Sequence, residues 1–197
     1  MTLVGVTGNS GCGQTTFAGE FQRLGAGVCS LDEVGHRLLR RPQVLSRVAN
    51  ALEMPQLVGL EAALARRAIG SAVFASPRML SALNSIVHPM LRRWAHLSAA
   101  RLGGAESLYV LEGALLLELG LDSLLDLLVV VSDSMERASQ RVARRDGIPE
   151  DQVEARWRAQ WPLSSKTGRA DLVVENSGGE EELRQRARAL YRRLAPV

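Results

Sequence analysis

Lysine is almost missing from this chain. Of its 24 basic residues, 23 are arginine and one, Lys166, is lysine. They are spread over several helical segments rather than gathered into one stripe. A helix-turn-helix and an aromatic-rich RNA-binding signature are also missing, so the net charge of +3 points to anionic small molecules and away from nucleic acid. Cys12 and Cys29 are too few for a disulfide framework and show no CxxC spacing. That usage fits a reducing, cytoplasmic compartment. The longest apolar stretch, Leu111 to Val131, is interrupted by Glu112, Glu118, Asp122 and Asp126, so no membrane span is expected. The opening residues carry a short apolar run broken by Gly5 and no basic leader, so no signal peptide is expected either. With 197 residues, and without internal repeats or low-complexity linkers, the chain reads as one domain with inserted lobes.

What is present is organised around Gly8-Asn9-Ser10-Gly11-Cys12-Gly13-Gln14-Thr15, directly behind the apolar run Leu3 to Val6. In the GxxxxGK[ST] pattern a buried strand ends in a glycine-rich turn that opens a helix. Backbone N–H groups and the helix N-terminus then converge on nucleotide phosphates. Gly8, Gly13 and Thr15 stand in register, and the Thr15 hydroxyl is the expected Mg²⁺ ligand. The lysine position holds Gln14. Cys12, near a helix N-terminus, reads as a small filler residue.

Helical spacing of Phe17, Ala18, Phe21 and Leu24 predicts a helix over 15–24, and Val28 to Leu31 a short buried strand with Asp32 at its C-terminal end. In an open α/β sheet that end is the ligand edge. Residues 33–101 read as helical throughout, with breaks at Pro42, Pro55, Gly59, Gly70, Pro77 and Pro89. This is far more than one crossover needs, and it predicts an inserted lobe. Arg66, Arg67, Phe74, Asn84, His88, Pro89, Arg92 and Arg93 lie within it. Strands are expected at 107–111, followed by Glu112 and Glu118, at 127–131 and at 170–174. Arg137, Arg141, Arg144 and Arg145 share one helix and form a candidate lid over polyphosphate. A second helix is expected to run to about Trp161, and 180–195 is an amphipathic closing helix after the turn at Asn176. The expected fold is α/β: a three-layer P-loop kinase with a five-stranded parallel sheet, a helical substrate-binding insertion and a helical lid. Residues 1–32, 102–133 and 167–197 form the nucleotide-binding core, 33–101 the lobe and 134–166 the lid.

The chain resembles the dephospho-CoA kinase family over essentially its whole length. The resemblance is carried by Gly8 to Thr16, by Val28 to Asp32, and by Val73-Phe74 with Leu83-Asn84-Ser85-Ile86-Val87-His88-Pro89. Further along, it is carried by Leu115-Leu116 with Glu118, Arg141 with Arg145-Asp146-Gly147, Gln160, and Ala170-Asp171 with Asn176-Ser177-Gly178. It implies transfer of the γ-phosphoryl of ATP, with Mg²⁺, to the ribose 3′-hydroxyl of dephospho-CoA. Asp32 is then the acid that orients or deprotonates that hydroxyl. Gly8, Asn9, Ser10, Gly11, Cys12, Gly13, Gln14, Thr15 and Thr16 cradle the phosphates, and Thr15 takes Mg²⁺. Arg141 and Arg145 reach the phosphates from the lid, and Asn176 lies by the adenine. Arg66, His88, Pro89 and Glu112, with Asp32, serve the acceptor. A monomer or weak homo-oligomer is expected.

The departures from the family pattern sit near the reacting phosphates. Gln14 replaces the lysine, Ser30 an aspartate, Ala114 a proline and Ala138 a glutamine, while Glu112 keeps an acid where the family usually has aspartate. Lid arginines or Lys166 are candidates to replace the lost charge. Three readings stay open: a dephospho-CoA kinase, a catalytically impaired nucleotide-binding module with a regulatory or interaction role, and a kinase for another alcohol.

Overall fold

The computed structural model describes residues 2–101 and 108–195, so Ser107 of the third expected strand lies outside the described residues. The chain divides into two compact units, one of residues 1–31 with 95–197 and one of residues 32–94.

The first unit is built on a five-stranded sheet: β1 (Thr2–Thr7), β2 (Gly27–Ser30), β3 (Leu108–Glu112), β4 (Leu127–Ser132) and β5 (Leu172–Glu175). Their order is β2-β3-β1-β4-β5 and every pairing is parallel. Val4, Val6, Val110, Val129, Val130 and Val131 are fully buried, because a parallel sheet has both faces covered and its central strands are apolar without alternation. β1 lies at the centre, and the chain leaves it first towards β2 and β3 and later towards β4 and β5. The carboxyl end of such a strand opens on a crevice.

Helix α1 (Gln14–Arg23) and the closing helix pack together through Phe17, Phe21, Leu183, Ala187 and Leu190. The closing helix, α9 (Glu180–Leu194), also sets Tyr191 edge-on to Phe21 at 5.7 Å. Between these helices Glu20 is 1% exposed and receives Arg188 at 2.7 Å, Arg23 at 3.0 Å and Arg184 at 3.4 Å. The hydrogen bond from Arg188 holds its carboxyl below the usual glutamate value.

The second unit continues from β2 through α2 (Leu31–Leu39), α3 (Pro42–Ala51), a 3-10 turn at Pro55–Gly59, α4 (Ala62–Ala75) and α5 (Pro77–Arg101), whose last turns belong to the first unit. Val44, Val48, Leu52, Leu57, Ala65, Ile69 and Val73 give it its own core. Two sequence expectations fail here. Gly70 and Pro89 are helix-internal and break nothing. The proline costs α5 one backbone bond, but Leu83, Ile86 and Met90 on either side pack against the unit's core and hold the helix together. Asp32 likewise does not end a strand; it is the second residue of α2, in the turn where a carboxylate favours the helix dipole.

The remaining helices are α6 (Met135–Asp146), α7 (Glu150–Arg158) and α8 (Leu163–Thr167). α6 begins at the Ser134 cap, whose hydroxyl accepts from the Arg137 N–H, and ends at Gly147 with φ 63°. α7 stops short of the expected Trp161, and α8 is a helix the periodicity did not reveal. Pro162 separates the two, and five residues are too few to show a period.

Glu20→Gln should lower Tm by several degrees at pH 7, since it removes the buried carboxylate shared by three guanidinium groups, of which Arg184 and Arg188 keep only Glu180 and Glu181 at the surface. A carboxyl held below its unfolded value stabilises the fold above that value and loses the contribution as pH falls through the native one. The Tm difference between wild type and variant should therefore shrink under acid. A difference independent of pH between 7 and 3 would remove the charge from this account.

Candidate active site

The phosphate loop leaves β1 at Gly8 and enters α1 at Gln14. Two of its glycines are forced. Gly11 has φ 85°, and a Cβ there would meet the Ala138 carbonyl at 2.5 Å. Gly13 has φ 106°, and a Cβ there would meet Leu183 at 2.7 Å and Asn176 Nδ2 at 2.8 Å. Other side chains are disfavoured at these φ values. Gly13 is also the N-cap of α1 and supplies no side-chain acceptor, so the N–H groups of the first turn are left for a ligand.

The rest of the loop is held from outside, residue by residue. The Asn9 side-chain amide donates to the Trp161 carbonyl at 3.3 Å, and the Ser10 N–H to Gln160 Oε1 at 3.0 Å. The Gly11 carbonyl accepts two bonds from Arg141, at 2.8 and 3.1 Å. The Cys12 carbonyl accepts from Asn176 Nδ2 at 2.9 Å. Cys12 itself is fully buried, and burial pushes its thiol up to about 11, which makes it a packing residue rather than a nucleophile. Thr15 is exposed, and its Oγ1 donates to Glu112 Oε1 at 3.0 Å; Glu112, at the end of β3, is 1% exposed.

Arg141 is held by Asp133, a residue the sequence reading passed over. The Asp133 side chain is fully buried, accepts from Arg137 Nε at 2.6 Å and is paired with Arg141. The signal was available, since Asp133, Arg137 and Arg141 recur at intervals of four. The expected fate of Lys166 is corrected. Its side chain is fully buried, bonded to Glu118 Oε1 at 2.9 Å and to the Ala114 carbonyl at 2.6 Å, and it is not among the residues lining the phosphate cavity. Glu118 Oε1 also accepts the Trp161 N–H at 2.8 Å. The lysine therefore braces the segment that holds Asn9 and Ser10.

Gly11, Gly13, Gln14, Thr15, Thr16, Arg141, Arg145 and Asn176 line one cavity of about 310 Å³. Arg145 reaches it from the end of α6 with its Nε on Asp146 at 2.7 Å. That bond, ahead of the contact from Arg156, holds the Asp146 carboxyl below the usual range. Of the nucleotide-side residues named from sequence, those eight share the cavity, and Gly8, Asn9, Ser10 and Cys12 are not among its lining residues. Asp32, Arg66, His88 and Pro89 belong to the second unit. There Asp32, Arg66 and Pro89 are exposed and His88 is half-buried.

A glycine-rich loop between a central parallel strand and a helix, with a hydroxyl and arginines around its mouth, defines a P-loop protein of the α/β class. The family model described as dephospho-CoA kinase matches residues 2–182. The chain is 37% identical to the dephospho-CoA kinase of Methylococcus capsulatus, over 99% of this chain and 98% of that protein. It is 35% identical to that of Syntrophotalea carbinolica, over 100% and 93%. The crystal structure of a Thermus thermophilus protein, 34% identical, superposes with a TM-score of 0.76 over 99% of this chain and 98% of that one. The chain belongs to the dephospho-CoA kinase family.

Asp133→Asn should cost about 1–3 kcal/mol of stability, the loss for one partner of a buried pair reduced because both arginines are half-exposed. Urea unfolding monitored by tryptophan fluorescence measures it. An unchanged midpoint would mean that Asp133 does not hold the clamp on Gly11.

Proposed function

We propose that this protein transfers the γ-phosphoryl of ATP to the ribose 3′-hydroxyl of dephospho-CoA. The carrying observation is the braced loop opening with Thr15, Arg141 and Arg145 on one cavity, in a chain matched along its length by dephospho-CoA kinases. Residues 1–32, 102–133 and 167–197 form the nucleotide-binding core in this reading, 33–101 the acceptor lobe and 134–166 the lid.

Phosphoryl transfer asks the protein mainly for position and charge neutralisation. The N–H groups opening α1 hold the phosphates, and Arg145 and Arg141 approach them from α6. Thr15 fits the Mg²⁺ role: its proton is engaged by Glu112, so the hydroxyl oxygen keeps its lone pairs for a metal. Bound there, Mg²⁺ neutralises charge on the β- and γ-phosphates. Asp32 accepts the proton of the attacking 3′-hydroxyl. Arg66, His88 and Pro89 serve the acceptor in the lobe, Glu112 secures Thr15 on the acceptor side, and Asn176 lies by the adenine. The reaction fits a cytoplasmic enzyme, a monomer or weak homo-oligomer.

One observation favours a second reading, a nucleotide-binding module with impaired transfer. Gln14 brings no charge to the loop, and Lys166 is committed to Glu118. Loss of a transition-state charge costs about 10²- to 10³-fold in turnover. A kinase for another alcohol is the third reading.

ADP release from purified protein with ATP, Mg²⁺ and dephospho-CoA, with the acceptor omitted as control, should depend on the acceptor and give a product heavier by one phosphate. Asp32→Asn should lose about 10²- to 10⁴-fold in kcat while ATP affinity changes little. Full turnover in that variant would take Asp32 out of the mechanism, and ATP binding without turnover would favour the second or third reading.

A further inference from the structure

Asp133 stands just before α6, and its two carboxylate oxygens are held in different ways. Oδ1 accepts the Ser134 N–H at 2.7 Å and Arg137 Nε at 2.6 Å, both from residues that open the same helix. Oδ2 accepts from Arg141 Nη2. The carboxylate is fully buried, whereas Arg137 and Arg141 are 49% and 42% exposed. The two arginines also differ in what else they reach. Arg141 lines the phosphate cavity and donates twice to the Gly11 carbonyl, while Arg137 is not among the lining residues.

An arginine that serves nucleotide phosphates has to turn its N–H groups to them. Nε and Nη2 of Arg141 are engaged by Gly11 and Asp133, so the phosphates compete with a carboxylate for this guanidinium. A buried carboxylate that gives up its sole cation is left uncompensated, which is strongly unfavourable. Asp133 has a second one. Arg137 lies one helical turn along, on the oxygen that Arg141 does not use. Two cations on one carboxylate leave one positive charge to spare, and of the two it is Arg141 that faces the cavity.

We propose that Arg137 is a positioning residue for the nucleotide: by keeping Asp133 compensated through Oδ1, it lets Arg141 pass from Oδ2 to the phosphates of ATP. Asp133 is then a handover point with one fixed partner and one transferable partner. The fixed one comes from the turn that also supplies the Ser134 N–H, so Oδ1 keeps both of its donors when Arg141 leaves. Without Arg137 the carboxylate has a single cation and retains it, and ATP binds a site with one guanidinium fewer. Arg137 thereby acts on ATP affinity without touching the nucleotide. The inference rests on the reading of the cavity as an ATP site with Arg141 as a phosphate ligand, not on the identity of the acceptor.

The test is calorimetric ATP binding by the full chain at fixed Mg²⁺ and ionic strength. It compares wild type, Arg137→Gln, Arg137→Lys, Arg141→Gln and the variant carrying both glutamines. Arg137→Gln should bind ATP about 10-fold more weakly, and Arg137→Lys, which keeps the charge, should stay within about threefold of wild type. The double variant should match Arg141→Gln, because Arg137 then has no guanidinium to release. Unchanged affinity in Arg137→Gln overturns the proposal, and so does Arg137→Lys binding as weakly as Arg137→Gln. A further loss of about 10-fold on adding Arg137→Gln to Arg141→Gln overturns it too, since Arg137 would then act on the fold or the ligand directly. Wild-type affinity in Arg141→Gln removes the handover and leaves the ATP site standing. Failure of wild type to bind ATP overturns the nucleotide reading itself and the role of Arg137 with it. No acceptor is present, so an error about the phosphorylated alcohol leaves the result intact.

Discussion

The backbone of residues 8–13 has to turn its N–H groups towards one point, and its remaining polar groups must then find partners elsewhere. The loop meets the Asn9 carbonyl internally, through the Cys12 N–H at 3.0 Å, but it lacks the repeating ladder that satisfies a helix or strand. The surroundings supply partners instead. Arg141 takes the Gly11 carbonyl and Asn176 that of Cys12. Gln160 and Trp161 secure the other arm at Ser10 and Asn9. These partners come from β1's distant neighbours in sequence, 130 to 164 positions away, so the loop takes its shape only when the whole sheet has assembled. β1 lies between β3 and β4 because every later segment has to reach it.

The same constraint explains why so much charge is spent on structure. Asp133 is buried so that one guanidinium can bridge a carboxylate and a loop carbonyl. Lys166 is buried against the half-buried Glu118, and together they fix the Trp161 segment. Neither pair gains much net stability over an apolar replacement, since desolvation consumes the Coulomb energy. What they contribute is geometry. In a site whose chemistry consists of placing dipoles and cations around phosphates, fixed geometry is the catalytic resource.

The architecture was legible because its signals are local or periodic. A strand followed by GxxxxG, the branched run of β4 and the seventy-odd residues without a strand each follow from backbone sterics or burial. Boundaries were less legible. Asp32 passed for a strand end because Leu31 is apolar in either structure, and Pro89 passed for a break because its neighbours' packing cannot be seen locally. The cavity-lining residues of the loop, with Arg141, Arg145 and Asn176, were named in advance from the loop pattern, the arginine-bearing helix and the family resemblance, whereas Val142, Gly179, Glu180 and Leu183 were not. Asp133 was missed for the opposite reason: a carboxylate beside a strand looks like any helix cap until the arginine four residues beyond Arg137 is seen to fold back over it. The destination of Lys166 was beyond sequence reasoning, since nothing in Ser164-Ser165-Lys166-Thr167 announces a buried ammonium.

Gln14 shows how far a family pattern can bend. A neutral side chain at that position is tolerable to the fold: it is small enough to be covered and leaves α1 intact. For the chemistry it moves the problem rather than removing it. The charge developing on a transferred phosphoryl has to be met by something, and neutral donors meet it less well than cations. The chain's arginine usage does not account for this, because that bias would have put an arginine at position 14. Gln14 is buried there, and the cationic side chains that share its cavity are Arg141 and Arg145.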